Sequence, residues 1–262
     1  MNYVGIPIAM LVMYVAQNIE ARLGVAAAGW FAALPISFAV ATASIAITNG
    51  EVNAAAVAVS AVGHVGPMIA YGMVFVNAAP RWGMLRGFAI SAASYALISF
   101  CIAGLHPFVN VGIGILALAI GNWYQSRRPA APLPSRAATR LQRWLSLLSA
   151  GAVVAILTVT NQYFGAALAG ALGAFPVMST TIAFAAAPRE GAAHAVTVMA
   201  GVARSLPIYL TYGVVFAVAV TLASLPWAVV LAVVSALGIA ALTRKRPARR
   251  ELSEDDLITS EP

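Results

Sequence analysis

Nine apolar runs follow one another along the chain, at residues 3–19, 24–47, 53–79, 85–104, 107–125, 144–161, 165–187, 192–219 and 225–243. A helix needs about 20 such residues, rising ~1.5 Å each, to cross the hydrocarbon of a bilayer. Inside hydrocarbon no water satisfies a free N–H or C=O, so an isolated strand is excluded there and a helix is not. The expected fold class is therefore all-α, a polytopic transmembrane helix bundle of about nine helices. Composition agrees: 61% of the 262 residues are hydrophobic and 9% charged, against roughly 25% charged in soluble domains.

The charges that remain are unevenly placed. Ten of the 15 basic residues form two clusters, Arg127, Arg128, Arg136, Arg140 and Arg143, then Arg244, Lys245, Arg246, Arg249 and Arg250. Only Glu20, Glu51 and Glu190 precede residue 251 as acids. Basic clusters abutting apolar runs set orientation and meet anionic lipid headgroups, so the partner implied is the lipid bilayer and not nucleic acid. With both clusters inside, Arg81, Arg86 and Arg189 also fall inside and Glu51 outside. This gives an outer amino terminus and a cytoplasmic carboxyl terminus, in a multi-pass protein of the bacterial cytoplasmic (inner) membrane. The heavy Ala and Arg usage suits a bacterial genome of high GC content.

The single cysteine, Cys101, excludes an intramolecular disulfide and reads as a small packing residue. Residues 1–19 lack a basic region ahead of the apolar run and read as a retained helix. Residues 126–143, with Pro129, Pro132 and Pro134 among arginines, read as a basic cytoplasmic strap.

Shifted by 141 residues, the chain matches itself. Gly24 meets Gly165, Gly29 meets Gly170, Pro35 meets Pro176 and Gly50 meets Gly191. Tyr71-Gly72-Met73-Val74-Phe75 meets Tyr212-Gly213-Val214-Val215-Phe216. The division is a first transmembrane repeat at 1–104, a linking helix and strap at 105–143, a second repeat at 144–243 and a tail at 244–262. An unpaired fifth helix between two four-helix units inverts the second relative to the first. In a competing alignment Leu105-His106-Pro107 pairs with Ser224-Leu225-Pro226 and helix four is the insertion. Inverted repeats with interrupted helices at matching positions are the sequence mark of secondary transporters.

The interruptions supply the candidate site. Pro35 and Pro176 fall mid-run, where proline removes a backbone donor and breaks or kinks a helix. Ser37, Ser179 and Thr180 follow them, as freed-backbone partners in one reading and solute contacts in the other. Pro67 and Pro207 form a second pair, preceded by His64 and Arg204. Arg204 sits mid-run, where a charge costs ~2.5–3.5 kcal/mol even on insertion scales, so it requires carbonyls, a lipid headgroup or an anionic ligand. His64 is either a proton relay or a hydrogen-bonded packing residue. Tyr71 and Tyr212, with Tyr209, line a cavity or belong to the interfacial aromatic belt, as Trp82, Trp123, Trp144 and Trp227 do. No metal-ligand spacing, phosphate loop or nucleophile–base set is present, so no catalytic residue, metal or cofactor is assigned and an enzyme is not expected.

The second unit resembles the GlpM-like small bacterial inner-membrane proteins in Gln162-Tyr163-Phe164-Gly165, Gly173-Ala174-Phe175-Pro176, Arg189-Glu190-Gly191 and Pro207-Ile208-Tyr209. The resemblance implies a fused, duplicated pair, and pairing of units as a homodimer; it brings no activity. The expected function is secondary transport of a small anionic solute by alternating access. The other reading is a structural or accessory subunit that holds a partner membrane protein.

Overall fold

The computed structural model describes residues 5–23, 35–126 and 139–243. All regular structure among them is helical: α1 (Gly5–Leu23), α2 (Ile36–Asn49), α3 (Glu51–Gly63), α4 (Val65–Trp82), α5 (Met84–Ile102), α6 (Pro107–Ser126), α7 (Arg140–Phe164), α8 (Ala166–Ala174), α9 (Val177–Leu222) and α10 (Leu225–Thr243). Among the described residues, five stretches are long and apolar enough to cross a membrane: Glu51–Trp82, Met84–Ile102, Arg143–Phe164, Ser205–Leu222 and Leu225–Thr243. The outer surface is apolar as well. Phe100, Phe108 and Leu242 are each at least 80% exposed, which hydrocarbon tolerates and water does not. This is a multi-pass membrane architecture. Trp82, Trp123, Trp144 and Trp227 are exposed near helix ends, where an aromatic belt belongs.

Three reversals turn on glycine. Gly50, Gly83 and Gly165 have φ of 91°, 83° and 86°, a region that side chains disfavour. Each is the single residue between two helices.

Helix directions reveal the relation between the units. Replacing a Gly213 hydrogen by a methyl group would place it 2.4 Å from Val62 Cγ2 and 3.6 Å from the Ala58 carbonyl. Earlier in α9, Ala195 and Met199 share a core cluster with Tyr71 and Phe75 of α4. The later part of α9 thus runs antiparallel to α3–α4, its mate at the 141-residue offset. The first helices of the units behave alike: Met13 clusters with Leu147 and Ala150, while Gly5 packs on Val154. Both mate pairs are antiparallel, so the repeat is inverted.

The last helices match too. In α10 the stripe Ala228, Ala232, Ala236 and Ala240 is buried, and in α5 the equivalent stripe is Gly87, Ser91 and Tyr95. This agrees with the gapless alignment and leaves α6 unpaired. α6 lies parallel to α3–α4, with Asn110 at Gly63, Ile113 at Gly66 and Gly121 at Ile69. Asn77 Nδ2 donates to Tyr124 Oη at 3.0 Å and pins its far end.

Several expectations are corrected. The backbone stays helical through 188–191, where a loop is expected from the sequence. A straight helix would carry Thr180 and Gly213 roughly 50 Å apart. Yet Thr180 meets Tyr71, and Gly213 meets Val62, about nine residues or roughly 14 Å away along the α3–α4 axis. α9 therefore doubles back between them, in a stretch whose sequence includes Pro188 and Gly191. Its first part runs parallel to α4: Thr180 meets Tyr71, and Phe184 meets Phe88, at the other end of α4. α7 begins at Arg140, inside the expected strap. Cys101 is exposed on the outer surface and is not a packing residue. Gly24, Gly29, the prolines of the strap and the tail lie outside the described residues.

Candidate functional site

Both mid-run prolines begin helices. Pro35 caps α2 with φ −77° and ψ 58°, and Pro176 caps α9 with φ −77° and ψ 57°. Two positions 141 residues apart thus share one backbone conformation. Proline itself has no side-chain group with which to cap either end. Proline supplies no N–H at the cap, and the first turn of each helix leaves donors without intrahelical partners. Val177 N–H turns to the Phe175 carbonyl at 2.8 Å, so the break after α8 is a tight one.

The two breaks adjoin. A methyl group at Gly173 would sit 3.2 Å from Phe38 Cε2 and 3.1 Å from Leu157 Cδ2. Phe38 belongs to the first turn of α2, and Gly173 to the last turn of α8. From this point α2 runs toward Gly50, while α9 sets out toward the Trp82 end of α4. The amino ends of two oppositely directed helices therefore meet inside the bundle.

Aromatic rings enclose the meeting point in a two-fold pattern. Tyr71 stacks on Phe75 at 6.1 Å and Tyr212 on Phe216 at 5.7 Å, and all four are fully buried. Phe175 stands edge-on to Tyr71, and Phe38 edge-on to Tyr212. The Tyr71 hydroxyl shares a hydrogen with Thr180 Oγ1 at 2.9 Å, and the Tyr212 hydroxyl meets Thr42 Oγ1 at 3.3 Å. Each tyrosine thereby binds a threonine of the other unit. Thr42 spends its own hydrogen on the Phe38 carbonyl, 3.0 Å away. It therefore accepts from Tyr212. The tyrosines belong neither to an interfacial belt nor to open space; they tie the units together.

Other candidates divide. Ser37, buried, and Ser179, half-buried, occupy the first turns of α2 and α9. Pro67 lies in the first turn of α4, and His64 separates α3 from α4 within the single run expected at 53–79. His64 is buried and its Nδ1 lies 2.7 Å from the Ser60 carbonyl. A carbonyl only accepts, so Nδ1 carries the proton and the ring closes the kink. Ser60 Oγ donates onward to the Ala167 carbonyl at 2.7 Å, joining the kink to α8. Pro207 does not end a helix: α9 continues to Leu222, and Thr211 Oγ1 donates to the Pro207 carbonyl at 2.8 Å. Arg204 lies on the α9 backbone, and its side chain is outside the described residues.

The structure adds residues that the sequence reading does not single out. Phe38 and Thr42 follow Pro35, and Phe175 precedes Pro176, as partners of the two tyrosines. Tyr95, where α10 has Ala236, donates to the Ala171 carbonyl and stands edge-on to Phe175 at 5.1 Å. Tyr209, already a candidate, packs its ring on Phe38 at 5.0 Å, and its buried hydroxyl has no partner. Both amide atoms of buried Asn161 are likewise unpartnered. The recurrence of an aromatic ring and a threonine around each proline is the signal that finds most of these. The chain matches no protein-family model, no curated protein and no solved structure.

Proposed function

We propose that this chain is a secondary transporter of the bacterial cytoplasmic membrane, carrying a small anionic solute by alternating access of its two inverted units. One observation carries the reading: two oppositely directed helix amino ends meet inside the bundle, at matching prolines. A helix amino end carries about half a positive charge, and such ends in broken transmembrane helices face anionic groups of substrates. A solute held between the ends is bound by both units, so rocking one unit against the other exposes it to either side in turn. The amino terminus is outside and the carboxyl terminus in the cytoplasm, which keeps Arg81, Arg86, Arg140 and Arg143 together on the inner face. Arg204 is the charged contact and His64 the kink around which α4 moves. The GlpM-like resemblance belongs to this proposal as an account of the duplication only.

The test is anion flux into proteoliposomes holding the purified chain. Uptake that saturates, that falls in Arg204→Ala and that returns in Arg204→Lys supports the proposal. Absence of flux, together with a stoichiometric membrane partner in gentle purification, favours an accessory subunit instead.

A further inference from the structure

Among the described residues, buried side-chain polar atoms without a hydrogen-bond partner occur at Ser99, Asn110, Asn161 and Tyr209, and the last two lie on the helices packed around Phe38. Tyr71, Tyr95 and Tyr212 each reach a partner. Tyr209, 9% exposed, does not, and neither amide atom of Asn161, 4% exposed, has a partner. Burying such groups unpaired is costly, so a group kept in that state calls for a reason. The repeat offers none for Tyr209: its mate at the 141-residue offset is Met68, which has no hydroxyl.

Tyr209 and Asn161 are related through Phe38. The Tyr209 ring lies on the Phe38 ring. Leu157 meets Phe38 at Gly173, and Asn161 is the next residue on that face of α7, one turn along. One orphan group thus belongs to the ring stacked on Phe38, in the first turn of α2, and the other lies one turn along α7 from the leucine beside that ring.

The geometry points to Tyr209 and Asn161 as the solute's hydrogen-bonding partners, and to an oxoanion that retains at least one O–H as the solute class. This rests on the transport reading and sharpens it. The α2 amino end and the Tyr209 hydroxyl both offer donors to an anionic oxygen. An amide offers a donor and an acceptor together, whichever way it is flipped. Satisfying both amide atoms takes a solute that accepts at one point and donates at another. Halides and nitrate only accept; a singly protonated or hydroxylated oxoanion does both.

The opposing demands of folding and binding give the test. Tyr209→Phe and Asn161→Leu, made separately in the full chain, remove an orphan group without opening a cavity of comparable size. Thermal unfolding in detergent is followed with bicarbonate, dihydrogen phosphate, lactate, chloride and nitrate as probes, alongside flux in proteoliposomes. The expected result is a higher Tm for Tyr209→Phe without solute. The same variant loses affinity about tenfold or more for whichever protonated or hydroxylated probe stabilises the parent. Asn161→Leu behaves likewise, and Asn161→Gln retains part of the binding. A parent chain that carries only chloride or nitrate keeps the transport reading and overturns the solute class. A parent that carries a hydroxylated oxoanion with unchanged affinity in both variants overturns the assignment of the two residues. If none of the probes binds or moves, the transport reading falls and this inference falls with it.

Discussion

The hydroxyl of Tyr71 lies 2.9 Å from the hydroxyl of Thr180, 109 residues further along the chain. The mate of Tyr71, Tyr212, meets Thr42 of the first unit at 3.3 Å. Duplication, inversion and the crossing of broken helices all meet in these two bonds, because each links a tyrosine of one unit to the helix that starts at the break of the other. The bonds differ in one respect that has a thermodynamic consequence.

Thr42 keeps its bond to the Phe38 carbonyl when Tyr212 is removed, whereas Tyr71 is the side-chain partner of Thr180. Tyr71→Phe therefore costs about 1–2 kcal/mol, and Tyr212→Phe less than about 1 kcal/mol. Equilibrium unfolding of the two variants in detergent micelles checks the order. Equal losses, or the reverse order, contradict the assignment of Thr42 as the acceptor.

Close helix approach at two glycines sets a second expectation. A methyl group at Gly87 would lie 2.7 Å from Ala79 Cα, and one at Gly170 would lie 2.6 Å from the Val57 carbonyl. Backbone atoms cannot step aside, so Gly87→Ala and Gly170→Ala each destabilise by about 1–3 kcal/mol. Gly238 has open space beside it, and Gly238→Ala is neutral or stabilising by up to about 1 kcal/mol. Thermal melts of the three variants decide the matter.

The unpaired helix α6 is fastened by Asn77 and Tyr124, at 3.0 Å. A double-mutant cycle of Asn77→Leu and Tyr124→Phe should give a coupling of about 0.6 kcal/mol, the usual size for such bonds between membrane helices. A coupling of zero would mean that apolar packing alone holds α6.

Much of this arrangement is legible in the sequence, for physical reasons that vary with the residue. Pro35 and Pro176 can be found because proline acts on its own backbone, and a constant offset survives in a biased composition. Tyr71 and Tyr212 stand out for the same reason. Their partners do not: Thr42 is one of several hydroxyls in an apolar run, and nothing local says that it faces a residue 170 positions away. The orphan state of Tyr209 is equally invisible, since it depends on what surrounds the hydroxyl and not on the tyrosine. The reversal in α9 is half legible. Arg189-Glu190-Gly191 marks the place, but the sequence suggests a loop where the backbone remains helical. Cys101 shows the limit of composition, because a small apolar residue in a membrane helix can face lipid as readily as the core.

The central claim is the inversion, and two-sided cysteine labelling tests it most directly. In a Cys101→Ala background, Arg81→Cys reports the end of α4, and Ser224→Cys reports the connection that follows α9. Both native positions are exposed, and they lie within two residues of being mates at the 141-residue offset. A membrane-impermeant thiol reagent applied to intact cells or right-side-out vesicles should label the Ser224→Cys variant and spare the Arg81→Cys variant. Inside-out vesicles should reverse the result. Labelling of both variants from the same side would contradict the inverted repeat, and the alternating-access proposal with it.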